Sequence, residues 1–196
     1  MNARDIQRRL IADRYRESFM LHNYTPSRWF ECDAFEVTKA GYFREYEVKL
    51  TVQDFRADTR KEQTRVEYEP LPVENGRTKW NRKEVSLGTK HELLADPRRA
   101  LTCKFTLPVQ FWFVIPESLH EAVKPVLPEF AGLIIAVPFE TRQDPHGVRL
   151  SEMKDAPRLH NERLADEILN NARSVCYYRM HSLFCRGRML HEKDTV

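Results

Sequence analysis

Two short runs limit what this chain can fold into more than any other feature: Gln110-Phe111-Trp112-Phe113-Val114-Ile115-Pro116 and Gly132-Leu133-Ile134-Ile135-Ala136-Val137-Pro138. Both are almost wholly apolar, rich in β-branched and aromatic residues, and stopped by proline, which predicts strands. A strand with no polar side has both faces buried, so it needs a layer of structure above and below it. That requirement points to an α/β fold, a sheet flanked by helices.

The flanking sequence offers those helices. Ile6, Leu10, Ile11, Tyr15 and Phe19 recur at intervals of three to five and predict a helix over Asp5 to His22, ended by Asn23-Tyr24-Thr25-Pro26-Ser27. Ala165, Ile168, Leu169, Ala172, Val175, Cys176, Leu183 and Phe184 form a stripe at helical spacing, expected to pack on the sheet or on another subunit. Between the two apolar runs, prolines at 125 and 128 limit Glu117 to Phe130 to a short helix or turn.

With 196 residues, 41% hydrophobic and 31% charged, the chain suits one well-buried domain. We expect a core over residues 1–150 and a helical extension over 151–196. The net charge of +3 permits a nucleic-acid partner without requiring one. No apolar run is long enough for a bilayer, and Met1-Asn2-Ala3-Arg4-Asp5 opens into charge, so a cytoplasmic location with no membrane partner is expected. Cys32, Cys103, Cys176 and Cys185 form no Cys-x-x-Cys pair and read as free thiols. Cys176, His181, Cys185 and His191 lack the closely paired ligands of a structural zinc site.

Chemistry concentrates in two strand-like stretches, Arg28 to Thr38 and Tyr42 to Leu50, joined by a turn at Lys39-Ala40-Gly41. In the first, Phe30, Cys32 and Ala34 should share one face and Glu31, Asp33 and Phe35 the other. In the second, Tyr46, Val48 and Leu50 should enter the core while Glu47 and Lys49 share the opposite face. Hairpin pairing can bring Asp33 alongside Glu47. Two carboxylates and the Val48 carbonyl could then hold Mg²⁺ or Mn²⁺ with retained waters, and Lys49 could orient a water or stabilise charge on a phosphate. The same residues equally describe an exposed cross-strand ion pair worth about 0.2–1 kcal/mol. Glu17 either adds an acidic group to this site or faces solvent. Thr51-Val52-Gln53-Asp54 predicts a capped helix running past Phe55 and Ala57 towards Lys61.

From about residue 65 to 99 periodicity fades into a charged stretch that reads as a basic insertion or long loop. Between Arg56 and Lys104 there are twelve basic and eight acidic residues. Trp80 among Lys79, Arg82 and Lys83 suits stacking on a base beside phosphate contacts; a tryptophan packed back on the body is the competing reading.

The series Asp33 … Glu47-Val48-Lys49-Leu50-Thr51-Val52-Gln53-Asp54-Phe55-Arg56-Ala57-Asp58, then Phe111-Trp112-Phe113-Val114-Ile115-Pro116 and Ala131-Gly132-Leu133-Ile134, resembles the PD-(D/E)XK nuclease superfamily and is most similar to its MmcB-like DNA-repair branch. The match spans roughly Phe30 to Val137. The resemblance implies a single restriction-endonuclease-like domain, with a small mixed β-sheet flanked by helices. It also implies Asp33 and Glu47 as metal ligands, Lys49 as the catalytic lysine, and Asp54 and Asp58 as matched positions of unassigned role. Cys32 stands where the motif name has proline, and the segment before His91 and the C-terminal helix depart from the pattern. The expected activity is Mg²⁺-dependent hydrolysis of phosphodiester bonds, DNA being favoured over RNA, in DNA repair or phage-type DNA metabolism. The alternatives are a catalytically inactive nucleic-acid-binding module and a structural subunit that forms a homo-oligomer through the C-terminal helix.

Overall fold

In a computed structural model, which describes residues 1–14, 18–58, 62–70, 80–139, 141 and 147–193, the chain forms a six-stranded mixed sheet flanked by helices. The elements in order are α1 (Ala3–Arg14), β1 (Ser18–Tyr24), β2 (Cys32–Thr38), β3 (Phe43–Val48), α2 (Val52–Asp58), β4 (Glu62–Pro70), β5 (Trp80–Thr89), α3 (Lys90–Ala95), α4 (Pro97–Thr102), β6 (Gln110–Pro116), α5 (His120–Val123), β7 (Ala131–Pro138), β8 (Val148–Lys154) and α6 (Asp166–Lys193). The sheet order is β1-β2-β3-β6-β7-β8. β3, β6 and β7 run parallel, and the remaining neighbours are antiparallel.

The two apolar runs form the central parallel strands, as their composition predicts. Each face of the sheet has its own core. On one, Ile6 and Leu10 of α1 cover Ala34, Tyr46, Val48, Trp112, Val114 and Ile134. On the other, Phe55, Leu93, Leu94, Ala100, Val123 and Ala172, from α2 to α6, cover Phe35, Phe43, Phe111, Phe113 and Ile115.

The first helix is shorter than its apolar spacing predicts. It ends at Arg14, and Phe19 and Leu21 lie in β1, opposite Val37 and Phe35. Phe19 and Leu21 also fit a period of two, and pairing with β2 satisfies a row of backbone groups that a lone helical extension would leave to water. The strand before the turn likewise begins late, at Cys32, and its alternation fails: Phe30, Cys32 and Phe35 join one core while Ala34 joins the other. Leu50, expected inside, is 37% exposed because β3 ends at Val48.

In the stretch expected as a basic insertion or long loop, the described residues form strands and helices. β4 and β5 pair antiparallel as a separate two-stranded ribbon, followed by α3 and α4. Thr64, Val66 and Tyr68 alternate with charged residues in the sequence, a period of two obscured by the charge density. β8, across residue 150, adds the last strand to the sheet. Among the described residues no helix is long and apolar enough to cross a membrane.

Candidate active site

The site forms where the parallel pair β3–β6 ends. The ladder continues one residue beyond β3, with Lys49 N donating to Val114 O at 3.0 Å. Carboxyl ends of parallel strands open a crevice where ligands bind in α/β sheets. Backbone pairing between β2 and β3 stops at Ala34 and Tyr46. Beyond that pair the Asp33 side chain takes over, accepting the Val48 N–H at 2.8 Å on Oδ2.

Within β3, Phe43 belongs to one core while Tyr46 and Val48 belong to the other, so Glu45 and Glu47, in step with Phe43, enter the first. Both are buried. Far from an exposed ion pair, Glu47 is held by two buried ammonium groups. Lys49 Nζ lies 3.2 Å from Glu47 Oε2, and Lys90 Nζ donates to Glu47 Oε1. Lys49 also donates to Asp58 Oδ1 at 2.9 Å. Asp58 sits one turn after Phe55, whose packing turns that face of α2 to the core.

Lys90 escaped the sequence reading because its segment looked unstructured. A signal was there: Thr89-Lys90-His91-Glu92 is a capping box. Thr89 Oγ1 accepts the Glu92 N–H at 3.2 Å, and Glu92 Oε2 accepts the Thr89 N–H at 2.9 Å. Gly88, at φ 84°, makes the turn from β5 into α3, and an added Cβ would come within 2.6 Å of Glu92 Oε2. The cap therefore fixes where Lys90 starts its helix. Glu45 was also missed; it accepts from Lys90 at 2.7 Å and from Trp29 Nε1 at 2.6 Å.

Burial and charge decide the protonation states. Asp33 is raised to about 6, chiefly by burial and next by the Glu47 carboxylate. Burial also pushes Glu45 up, against the pull of Lys90. Burial alone would lower both lysines, but their carboxylate partners outweigh it and hold Lys49 above, and Lys90 well above, the ordinary value. Asp58 is lowered, since contact with His91 and Lys49 outweighs its burial. His91 Nε2 and Asp58 Oδ2 lie 3.5 Å apart, and both atoms are buried.

This arrangement can be tested for a divalent cation. Asp33, Glu45, Glu47 and Asp58 carry four potential negative charges against the two of Lys49 and Lys90. One divalent cation would balance the cluster. Among the described residues no three His, Cys, Asp or Glu form a ligand group. Mg²⁺ is commonly bound through one or two carboxylates, with waters and substrate phosphate completing its shell. Glu47 can still ligate, because a carboxylate offers about four lone-pair sites and its two lysines use two.

The structure describes several of the other sequence candidates. Asp54 is exposed in the first turn of α2, where its N–H donates to Thr51 Oγ1 at 3.0 Å. Arg82 and Lys83 are exposed on β5, opposite Tyr68 and Glu67. The two strands of that ribbon carry four glutamates and three cations. Trp80 begins β5, but its side chain, Lys79 and Glu17 lie outside the described residues. Of the cysteine and histidine set, Cys185 Sγ lies 3.7 Å from His181 Nδ1, one turn apart on α6.

No family model matches the chain, and no curated protein matches it. Among solved structures it is similar to the SPO1766 protein of unknown function from Silicibacter pomeroyi, at 17% identity and a TM-score of 0.50, over 92% of this chain and 87% of that one. At that identity the likeness shows the α/β fold alone.

Proposed function

We propose that this chain is a metal-dependent nuclease that hydrolyses phosphodiester bonds in DNA, in DNA repair or phage-type DNA metabolism. The observation that carries the reading is Lys49: a buried ammonium clamped between Glu47 and Asp58, beside a half-buried Asp33, at the carboxyl end of parallel strands. Burying this many charges is costly unless they serve a purpose that apolar residues cannot. Asp33 and Glu47, with the Val48 carbonyl, would hold Mg²⁺ or Mn²⁺. That ion would supply Lewis-acid polarisation of the phosphate and an activated water.

Lys49 has a narrower role than its type allows. Its two carboxylate contacts favour the charged form, which suits a donor and a positive charge rather than a base. Two of its three N–H groups are taken by Glu47 and Asp58 among the described residues, which leaves one to meet a phosphate oxygen as negative charge develops there. Asp58, the matched position without an assigned role, anchors Lys49 in that orientation.

The test is a cleavage assay on plasmid, linear duplex and single-stranded DNA, and on RNA, with Mg²⁺, Mn²⁺ or EDTA, beside a folded Lys49→Ala control. Cleavage is expected with either metal, and none in EDTA or with the variant. A wild-type protein that cuts nothing overturns the reading.

A second reading, a catalytically inactive nucleic-acid-binding or assembly subunit on the same fold, draws on α6. Tyr177, Tyr178, Met180 and Leu183 are all strongly exposed there, Tyr178 at 70%. Sedimentation as a stable oligomer, together with no cleavage under any condition, would favour it.

A further inference from the structure

Two lysines touch Glu47, and their hydrogen bonds separate their tasks. The Lys90 ammonium has three N–H groups and three acceptors: Glu45 Oε1 at 2.7 Å, the Glu31 carbonyl at 3.3 Å, and Glu47 Oε1. It is 4% exposed, and the rings of Phe30 and Phe111 stand 5.6 and 5.9 Å from it. Nothing of it remains to reach a substrate. Its other carboxylate partner is itself pinned, since Glu45 Oε2 accepts the Trp29 indole N–H at 2.6 Å. Trp29, Glu45 and Lys90 thus form one buried chain that ends on a single oxygen of Glu47.

We propose that Lys90 is the positioning residue of the metal site: anchored by Glu45 and Trp29, it holds Glu47 in one orientation and so sets the affinity for the divalent cation. The inference rests on the nuclease reading of Asp33 and Glu47. Partners behind metal ligands act this way, and their loss typically weakens metal affinity or activity by roughly 10- to 100-fold. Charge acts in the opposite direction, because deleting an ammonium beside Glu47 would strengthen cation binding by simple attraction. The decisive variant therefore removes one charge of each sign. Lys90→Met combined with Glu45→Gln leaves the net charge of the cluster unchanged and abolishes the hold on Glu47.

The experiment is calorimetric titration of the full chain with Mn²⁺ alone. Wild type should bind, Glu47→Gln should lose binding, and the charge-balanced double variant should bind roughly 10- to 100-fold more weakly. Cleavage lost by the double variant should return when Mn²⁺ is raised above its new dissociation constant. Cleavage lost by Lys49→Ala should not. A folded double variant with wild-type Mn²⁺ affinity overturns the positioning role and leaves the nuclease reading standing. Wild-type protein that binds no Mn²⁺ overturns the metal reading and this inference with it. If circular dichroism shows the double variant unfolded, Trp29→Phe decides instead: a severalfold loss of Mn²⁺ affinity supports the proposal, and unchanged affinity overturns it.

Discussion

Lys49 Nζ lies 2.9 Å from Asp58 Oδ1, so the residue that follows β3 and the residue that ends α2 are tied by a buried charge-assisted hydrogen bond. Lys49→Ala strands Asp58 and Glu47 without this cation. Breaking a buried pair from one side is expected to cost about 3 kcal/mol, read as a lower denaturant midpoint. Adding Asp58→Asn should recover part of that loss in a double-mutant cycle. Strict additivity of the two changes would mean that the contact contributes nothing.

Binding should separate from cleavage. Lys49→Ala should abolish cutting and leave nucleic-acid affinity nearly intact. Neutralising Lys79, Arg82 and Lys83 together should weaken binding and flatten its salt dependence, each lost phosphate contact lowering the log–log slope by about 0.7–0.9. An unchanged slope would remove β5 and its approach from the interface.

Thr51 caps α2, accepting the Asp54 N–H at 3.0 Å. Thr51→Ala should destabilise the protein by about 1 kcal/mol in thermal or chemical unfolding. No change in midpoint would count against the cap.

Gly132 has no room for a side chain. A Cβ there would come within 2.5 Å of Trp112 Nε1 and 2.7 Å of the Ala156 backbone nitrogen, and Trp112 is already stacked on Tyr46 at 5.1 Å. Gly132→Ala is expected to cost about 1–3 kcal/mol by overpacking. A wild-type melting temperature would show that Trp112 can move aside freely.

His160 links the segment before α6 to the strand side of the core. Its Nδ1 accepts the Glu162 N–H at 3.1 Å, which leaves Nε2 to donate to the Leu107 carbonyl at 3.0 Å. Burial lowers its pKa below the ordinary histidine value of 6.5. A base lowered on folding stabilises the native state above its unfolded pKa and loses that contribution as the pH falls through the folded one. The stability advantage of wild type over His160→Ala should therefore be largest at pH 7.5 and shrink towards pH 5. An advantage that grows on acidification would reverse the assignment.

Local chemistry was open to the sequence. β6 and β7 follow from unbroken apolar runs, the start of α2 from Thr51 and Asp54, and the shared face of Glu47 and Lys49 from the two-residue period of a strand. Residues 18–24 were not open in this way: Phe19 and Leu21 satisfy helical and strand spacing alike, and only pairing with β2 chose between them. β4 and β5 were hidden for a related reason, since alternation among many charges looks like a solvated loop until a partner strand is present.

By itself the sequence determined the α/β layering and the shared face of Glu47 and Lys49, because strand period and helix capping act over a few positions. Tertiary structure alone decided the character of that site. Lys90 reaches Glu47 from 43 residues away on the first turn of α3, and Glu45 and Trp29 close in behind it. Desolvation by the core on that face of the sheet then turned what reads as a surface ion pair into a buried network of alternating charge. Its strength depends on the low dielectric around it, and a dielectric belongs to the packed protein and to no stretch of the chain.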